Sequence, residues 1–305
     1  MNNLFFNSVA KCGFALLSTV LTLSSCSNSE EVTNLEELET NRCVPVRVHV
    51  SEFSFSMEDL PSTRATETPG SYSEVSVLTL AFYASDGTKM YEDTQFESDG
   101  SITFGNFSCN LPIGTYTMVV IGRDNNEGDA FTLTSSMVAG YTSDRVRETF
   151  CKTQSVTVTS AEALNLNVTL SRIVTKLGII STDPRPEGAA KIRTTYSAGS
   201  KFFNPTTSLA TSNTGLTQIN SLTKPVGQTI GISNFAFLAT DEQTMNVTIE
   251  VLDANDGVVI SKTISNVPFK RNRLTALHGP VFTPAATTAS FTLNTDWVGD
   301  YNLDF

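Results

Sequence analysis

From residue 44 the chain alternates apolar and polar side chains, with Val44, Val46, Val48 and Val50 interleaved with Pro45, Arg47, His49 and Ser51. A period of two sends successive side chains to opposite faces of a strand, so the four valines predict one buried face. Pro45 has no amide to donate, which predicts that the strand starts there or runs along a sheet edge. Residues 57–73, rich in Ser, Thr, Glu and Pro, read as a loop. Residues 75–83 are apolar on both faces and predict an inner strand. Turn signals then recur at Asp86-Gly87, Asp99-Gly100, Pro112-Ile113-Gly114 and Gly128, between strand-like runs at 102–107 and 116–121.

The alternation resumes at Val156 and Val158 and again at Leu164, Leu166, Val168 and Leu170. Beyond a turn at 183–188, further strands are predicted at 192–196, 235–238, 245–252, 258–264 and 290–293. No stretch sustains a helical period. Short strands at regular spacing predict an all-β body of the sandwich type. Its length exceeds what one core usually organises, and a break near residue 172 predicts two β-sandwich domains, 42–172 and 173–305.

The N-terminus follows a different pattern. Lys11 precedes an apolar run over residues 14–23, about half the length a membrane-spanning helix needs, so residues 1–25 read as a secretory signal peptide. Leu23-Ser24-Ser25-Cys26 has the form of a lipobox, in which small residues admit the peptidase and the Cys26 thiol takes the diacylglyceryl group. One acyl chain holds a protein only marginally, whereas each buried CH₂ adds about 0.8 kcal/mol, so two or three chains anchor it durably. Residues 26–41, with Glu30, Glu31, Glu36, Glu37 and Glu39, read as an acidic tether.

A formal net charge of -11 excludes a basic face for nucleic acid. Outside the signal peptide and Cys26 the thiols are Cys43, Cys109 and Cys151. Export permits disulfides, and Cys109 with Cys151 is one pairing the sequence allows; buried free thiols are the other reading. Catalytic patterns are missing, since neither G-x-S-x-G nor H-E-x-x-H occurs and the two histidines, His49 and His278, sit on a polar strand face and before a Gly-Pro turn. No metal spacing and no cofactor loop is present. The Asp253–Gly257 and Asp124–Gly128 stretches resemble calcium loops but place glycine one position early, as hairpin turns do. The sequence predicts no enzyme, no cofactor and no metal.

An ordered set of short motifs resembles the fimbrillin superfamily of pilus proteins from gut and oral Gram-negative bacteria. It comprises the lipobox, the first strand followed by Ser62-Thr63-Arg64-Ala65, and Leu111-Pro112-Ile113-Gly114-Thr115-Tyr116-Thr117. Leu170-Ser171-Arg172-Ile173-Val174-Thr175-Lys176-Leu177, Lys270-Arg271-Asn272-Arg273-Leu274-Thr275 and Phe291-Thr292-Leu293 with Asp296-Trp297 follow in order. The resemblance implies two transthyretin-like β-sandwiches in tandem and an outer-membrane lipoprotein at the cell surface. It also implies assembly with other pilus subunits, as stalk, tip or anchor, by donor-strand exchange. In a stalk subunit maturation would cut at Arg64-Ala65 and release the strand bearing Val44, Val46, Val48 and Val50, leaving the subunit in the fimbria. An anchor would keep its lipid and its strand, and the other reading of Arg64 is a solvated residue of an unprocessed polar loop. The donor would be the C-terminal segment with Phe291, Leu293, Trp297, Tyr301 and Phe305. The alternative reading is a surface lipoprotein that binds glycan or host protein through sandwich loops, with exposed aromatics such as Tyr141, Phe202 and Phe203 as contacts.

Overall fold

The computed structural model describes residues 43–56, 64–69, 72–100, 103–125, 130–159, 162–284 and 301–304. Among them are twenty strands and no helix. The first ten are β1 (Cys43–Ser56), β2 (Arg64–Glu67), β3 (Val77–Tyr83), β4 (Lys89–Phe96), β5 (Asn106–Pro112), β6 (Gly114–Arg123), β7 (Phe131–Ser135), β8 (Val138–Tyr141), β9 (Thr149–Val158) and β10 (Leu164–Arg172). The second ten are β11 (Thr175–Ser181), β12 (Lys191–Tyr196), β13 (Phe202–Asn204), β14 (Leu209–Ala210), β15 (Leu216–Ser221), β16 (Gly231–Ala236), β17 (Glu242–Leu252), β18 (Val258–Lys270), β19 (Leu274–Gly279) and β20 (Tyr301–Asp304).

One strand arrangement occurs twice. In the first half, β5-β1-β10 and β4-β3-β6-β9 are hydrogen-bonded runs joined where Ser171 and Arg172 pair with Cys151 and Phe150. In the second half, β16-β11-β19 and β15-β12-β17-β18 repeat the order. In each, the first strand is parallel to the last, β1 with β10 and β11 with β19, while the other pairs within these runs are antiparallel. A parallel pair needs a long crossover, and here the rest of each half supplies it. The chain leaves the first sheet at Arg172 and enters the next at Thr175.

The apolar patterning explains the burial. Leu78, Leu80 and Phe82 on β3, with Met118 and Val120 on β6, pack against the valines of β1 in one core. Ala81 and Tyr83, with Val119 and Ile121, point from the opposite face into a second core. That second core continues through Leu177, Ile179, Val247 and Ile249 of the second half, so the halves share buried apolar contact. A small sheet, β14-β13-β8-β7, also draws two strands from each half. At its centre Phe202 lies opposite Gly140, and a Cβ on Gly140 would sit 2.4 Å from the Lys201 carbonyl oxygen. Only glycine permits that approach.

Several sequence expectations are corrected. The first strand begins at Cys43, two residues before Pro45, and is interior to its sheet rather than at an edge. Pairing with β10 starts at Val46, so Pro45 sits where the strand has a single neighbour, opposite Asn110 of β5. The stretch read as a loop over 57–73 contains β2. The strand expected at 102–107 runs instead from Asn106 to Pro112, after a turn in which the Asn106 amide donates to the Thr103 carbonyl at 3.0 Å. Cys109 and Cys151 are both free: Cys109 faces the first core and Cys151 the second, so their thiols lie on opposite sides of the first half.

Candidate functional site

The features that motivate strand exchange converge on β1. Residues 43–49 run antiparallel to β5, residues 46–54 run parallel to β10, and residues 53–56 pair with β2. Val44, Val46, Val48 and Val50 are buried, with Val46 and Val50 wholly inaccessible, and Phe53 packs into the same core, its ring tilted at 5.4 Å from the Phe150 ring. Burial of each such side chain stabilises the fold by about 1.5–3 kcal/mol. Further contacts fix the strand along its length: the Val50 amide donates to the Gly105 carbonyl at 2.8 Å, and Ser51 Oγ donates to the Val168 carbonyl at 3.3 Å. Departure of β1 would open a slot between β5 and β10, with an unpaired ladder on each side and an apolar floor. An occupant would have to run parallel to β10 and place an apolar residue at every second position.

The proposed maturation site lies at the start of β2. Arg64 pairs with Ser56 and Ala65 with Phe55. The Arg64-Ala65 bond is therefore in a four-residue strand beside the last turn of the ladder of β1, and a protease would need to peel only this short pair from its end. Cys26 lies outside the described residues, as do Phe291, Leu293, Trp297 and Phe305. Tyr301 is described: it begins β20, which runs parallel to β19 with Tyr301 opposite Thr275 and Asp304 opposite His278. The pairing of the C-terminal segment within its own chain is a feature that sequence reasoning missed, although Tyr301-Asn302-Leu303-Asp304 does alternate apolar and polar residues.

The other sequence candidates scatter. His49 Nδ1 is 2.8 Å from Asn106 Oδ1 on the exposed face of β1, while His278 is on β19 in a different sheet. Asp253 Oδ1 accepts from the amides of Asn255 and Gly257, both at 2.8 Å, which is the geometry of the β17–β18 hairpin turn. Among the described residues no group of three or more His, Cys, Asp or Glu side chains could hold a metal ion. Tyr141 and Phe203, considered as loop contacts, are core residues with no exposed surface, and the Tyr141 hydroxyl is 2.9 Å from Thr149 Oγ1. Phe202 is half-buried in the sheet shared by the halves. Burial pushes the Cys109 and Cys151 thiols up to about 12, which keeps both protonated and unreactive at neutral pH.

The strand pairing defines an all-β protein built from two copies of one sheet arrangement, the first of which carries its N-terminal strand in an interior slot. The chain belongs to a family of unknown function, DUF6562, whose model matches residues 45–304. Solved structures that resemble it include a candidate adhesin from Bacteroides ovatus, at 12% identity over 80% of this chain and 88% of that one, TM-score 0.48. Others are the fimbrial anchor protein Mfa2 from Porphyromonas gingivalis, at 14% identity over 74% and 84%, TM-score 0.46, and a fimbrial assembly protein from Parabacteroides distasonis, at 11% over 78% and 92%, TM-score 0.38. No curated protein matches the chain.

Proposed function

We propose that this protein is a structural subunit of an adhesive surface fibre of the fimbrillin type, exported as a lipoprotein acylated on Cys26 and joined to neighbouring subunits by exchange of β1. The repeated strand order is read as two transthyretin-like sandwiches in tandem, and the partners are other subunits of the fibre and the outer membrane. One observation carries the reading: β1 fills an interior slot of the first core, yet it is the first of the described strands and is followed, after residues 57–63, by Arg64 in a short strand. Cutting the chain at Arg64 separates a strand so placed from β2 and the rest of the first half, and its departure would turn intramolecular complementation into an intermolecular need. The C-terminal segment ending in β20 is the proposed donor. Its parallel pairing with β19 supports this, because the slot left by β1 also requires a strand parallel to its neighbour β10.

The experiment is treatment of the purified precursor with an Arg-specific protease, followed by size exclusion and electron microscopy. Polymers are expected from the wild type, none from Arg64→Ala, and none from a chain truncated after Pro284. Polymers from the truncated chain would eliminate the C-terminal donor. A cleaved wild type that retains β1 and stays monomeric would eliminate exchange. Palmitate labelling of the wild type but not of Cys26→Ala tests the anchor separately.

A further inference from the structure

Between the halves lies a cleft of about 570 Å³ whose charge opposes that of the chain. Five cationic side chains and two carboxylates line it, in a protein whose formal net charge is -11. One carboxylate is already committed. Glu148 Oε1 lies 2.5 Å from Arg172 Nε and accepts from the Tyr72 hydroxyl at 2.9 Å, while Arg172 donates to the Tyr72 hydroxyl at 3.0 Å and to Asn272 Oδ1 at 3.3 Å. This network ties the end of β10 to the segment before β3 and to the β18–β19 turn, and so fixes the shape of the cleft. The other carboxylate, Glu74, is exposed at its rim.

Lys176 and Arg273 stand on adjacent chain segments of the opposite wall. The Lys176 amide donates to the Arg273 carbonyl at 3.0 Å, and Lys176 Nζ lies 5.8 Å from the centre of the Phe235 ring. Neither forms an ion pair among the described residues. Like charges on one wall repel, and a bound anion removes that cost while gaining charge-assisted hydrogen bonds. The remaining wall mixes Phe235 and Leu274 with the hydroxyls of Ser73 and Ser233 and the amide of Asn272. An apolar edge beside hydroxyl-pairing groups suits a hydroxylated ring better than a bare inorganic ion. We propose that this cleft binds an acidic saccharide, with its carboxylate or sulfate group on Lys176 and Arg273. The site is independent of the exchange of β1, and it lies between the halves rather than on the sandwich loops.

The test is calorimetric titration of the full chain with N-acetylneuraminic acid, which presents a carboxylate, and with a heparin-derived disaccharide, which presents sulfates. Lactose serves as the neutral ring, and a synthetic peptide of residues 27–41 as an acidic non-sugar. At least one acidic sugar is expected to bind, more weakly as salt rises. Lys176→Ser and Arg273→Ser should each weaken it by about tenfold or more, with unchanged melting temperature. Which sugar binds distinguishes carboxylate from sulfate recognition. Binding of neither, equal binding of lactose, preference for the peptide, or unaltered affinity in both variants would each overturn the proposal.

Discussion

The two halves share one strand order and differ in how the first strand is held. In the second half β11 follows β10 after two residues, so it is joined to a folded element at both ends. In the first half β1 is the first of the described strands, and among the described strands it is joined in the chain only to β2, through residues 57–63. Both strands fill the same interior position, with Leu177 and Ile179 as buried as the valines of β1. The halves also differ at the last strand: β19 has β20 along its other side, whereas β10 meets β9 only at Ser171 and Arg172. Architecture alone therefore does not make a strand exchangeable. Under the proposed exchange, β1 differs from β11 in its connection: a cut at Arg64 would separate it from β2, whereas β11 lies between two described strands in the chain.

The largest expected effect comes from a charge in the slot. Val48→Asp should destabilise the first half by about 5 kcal/mol, since an unpaired carboxylate would replace a buried methyl pair. Urea unfolding followed by tyrosine fluorescence checks it, and Thr169→Asp on the exposed face of β10 should leave the transition nearly unmoved. Next comes the contact between halves. Gly140→Val drives a side chain into the Lys201 carbonyl and should cost about 3 kcal/mol, splitting the single unfolding transition expected of halves with a common core into two. Calorimetry reads the number of transitions.

A smaller effect separates the two thiols. In the intact protein both Cys109 and Cys151 should resist a thiol reagent. After cleavage at Arg64 and loss of β1, Cys109 should react, because Val46 lies opposite it, while Cys151 stays protected beside the Pro205 carbonyl. Mass spectrometry of the labelled chain decides. The same thiol gives a pH dependence. Its folded value of about 12 exceeds the unfolded value near 9, so the neutral form is favoured by folding. That contribution is complete below pH 9 and is lost as pH rises toward 12, and Cys109→Ala should make the fall in melting temperature over that window shallower. The smallest effect is expected on the surface, where Glu242→Gln, which breaks the exposed pair with Lys270, should change stability by less than about 0.5 kcal/mol.

Local patterning reached far into this fold. Alternation at Val44–Val50 placed the strand and its buried face, and the two-sided run at 75–83 marked a strand covered by two cores. Burial depends on which side of a pleat each residue occupies, and that is a property of neighbours in sequence. Pairing is not. Nothing between residues 43 and 56 says that β5 and β10 will flank this strand, because those partners arrive about sixty and about a hundred and twenty residues later and are chosen by the packing of the whole half. Short elements escaped for the same reason: β2, β13 and β14 have too few residues to show a period and exist by virtue of the strands they meet. The cleft lies beyond the reach of any local pattern, since its cations come from three separate segments, at 145–147, 172–176 and 273, spread over both halves. The sequence by itself determined that the body is all-β and which faces are buried; tertiary packing alone decided that β1 is interior, that Cys109 and Cys151 face different cores, and that Lys176 and Arg273 share a wall with Phe235. Side-chain alternation acts over two residues, whereas sheet order is settled only when distant strands compete for the same hydrogen-bonding edge.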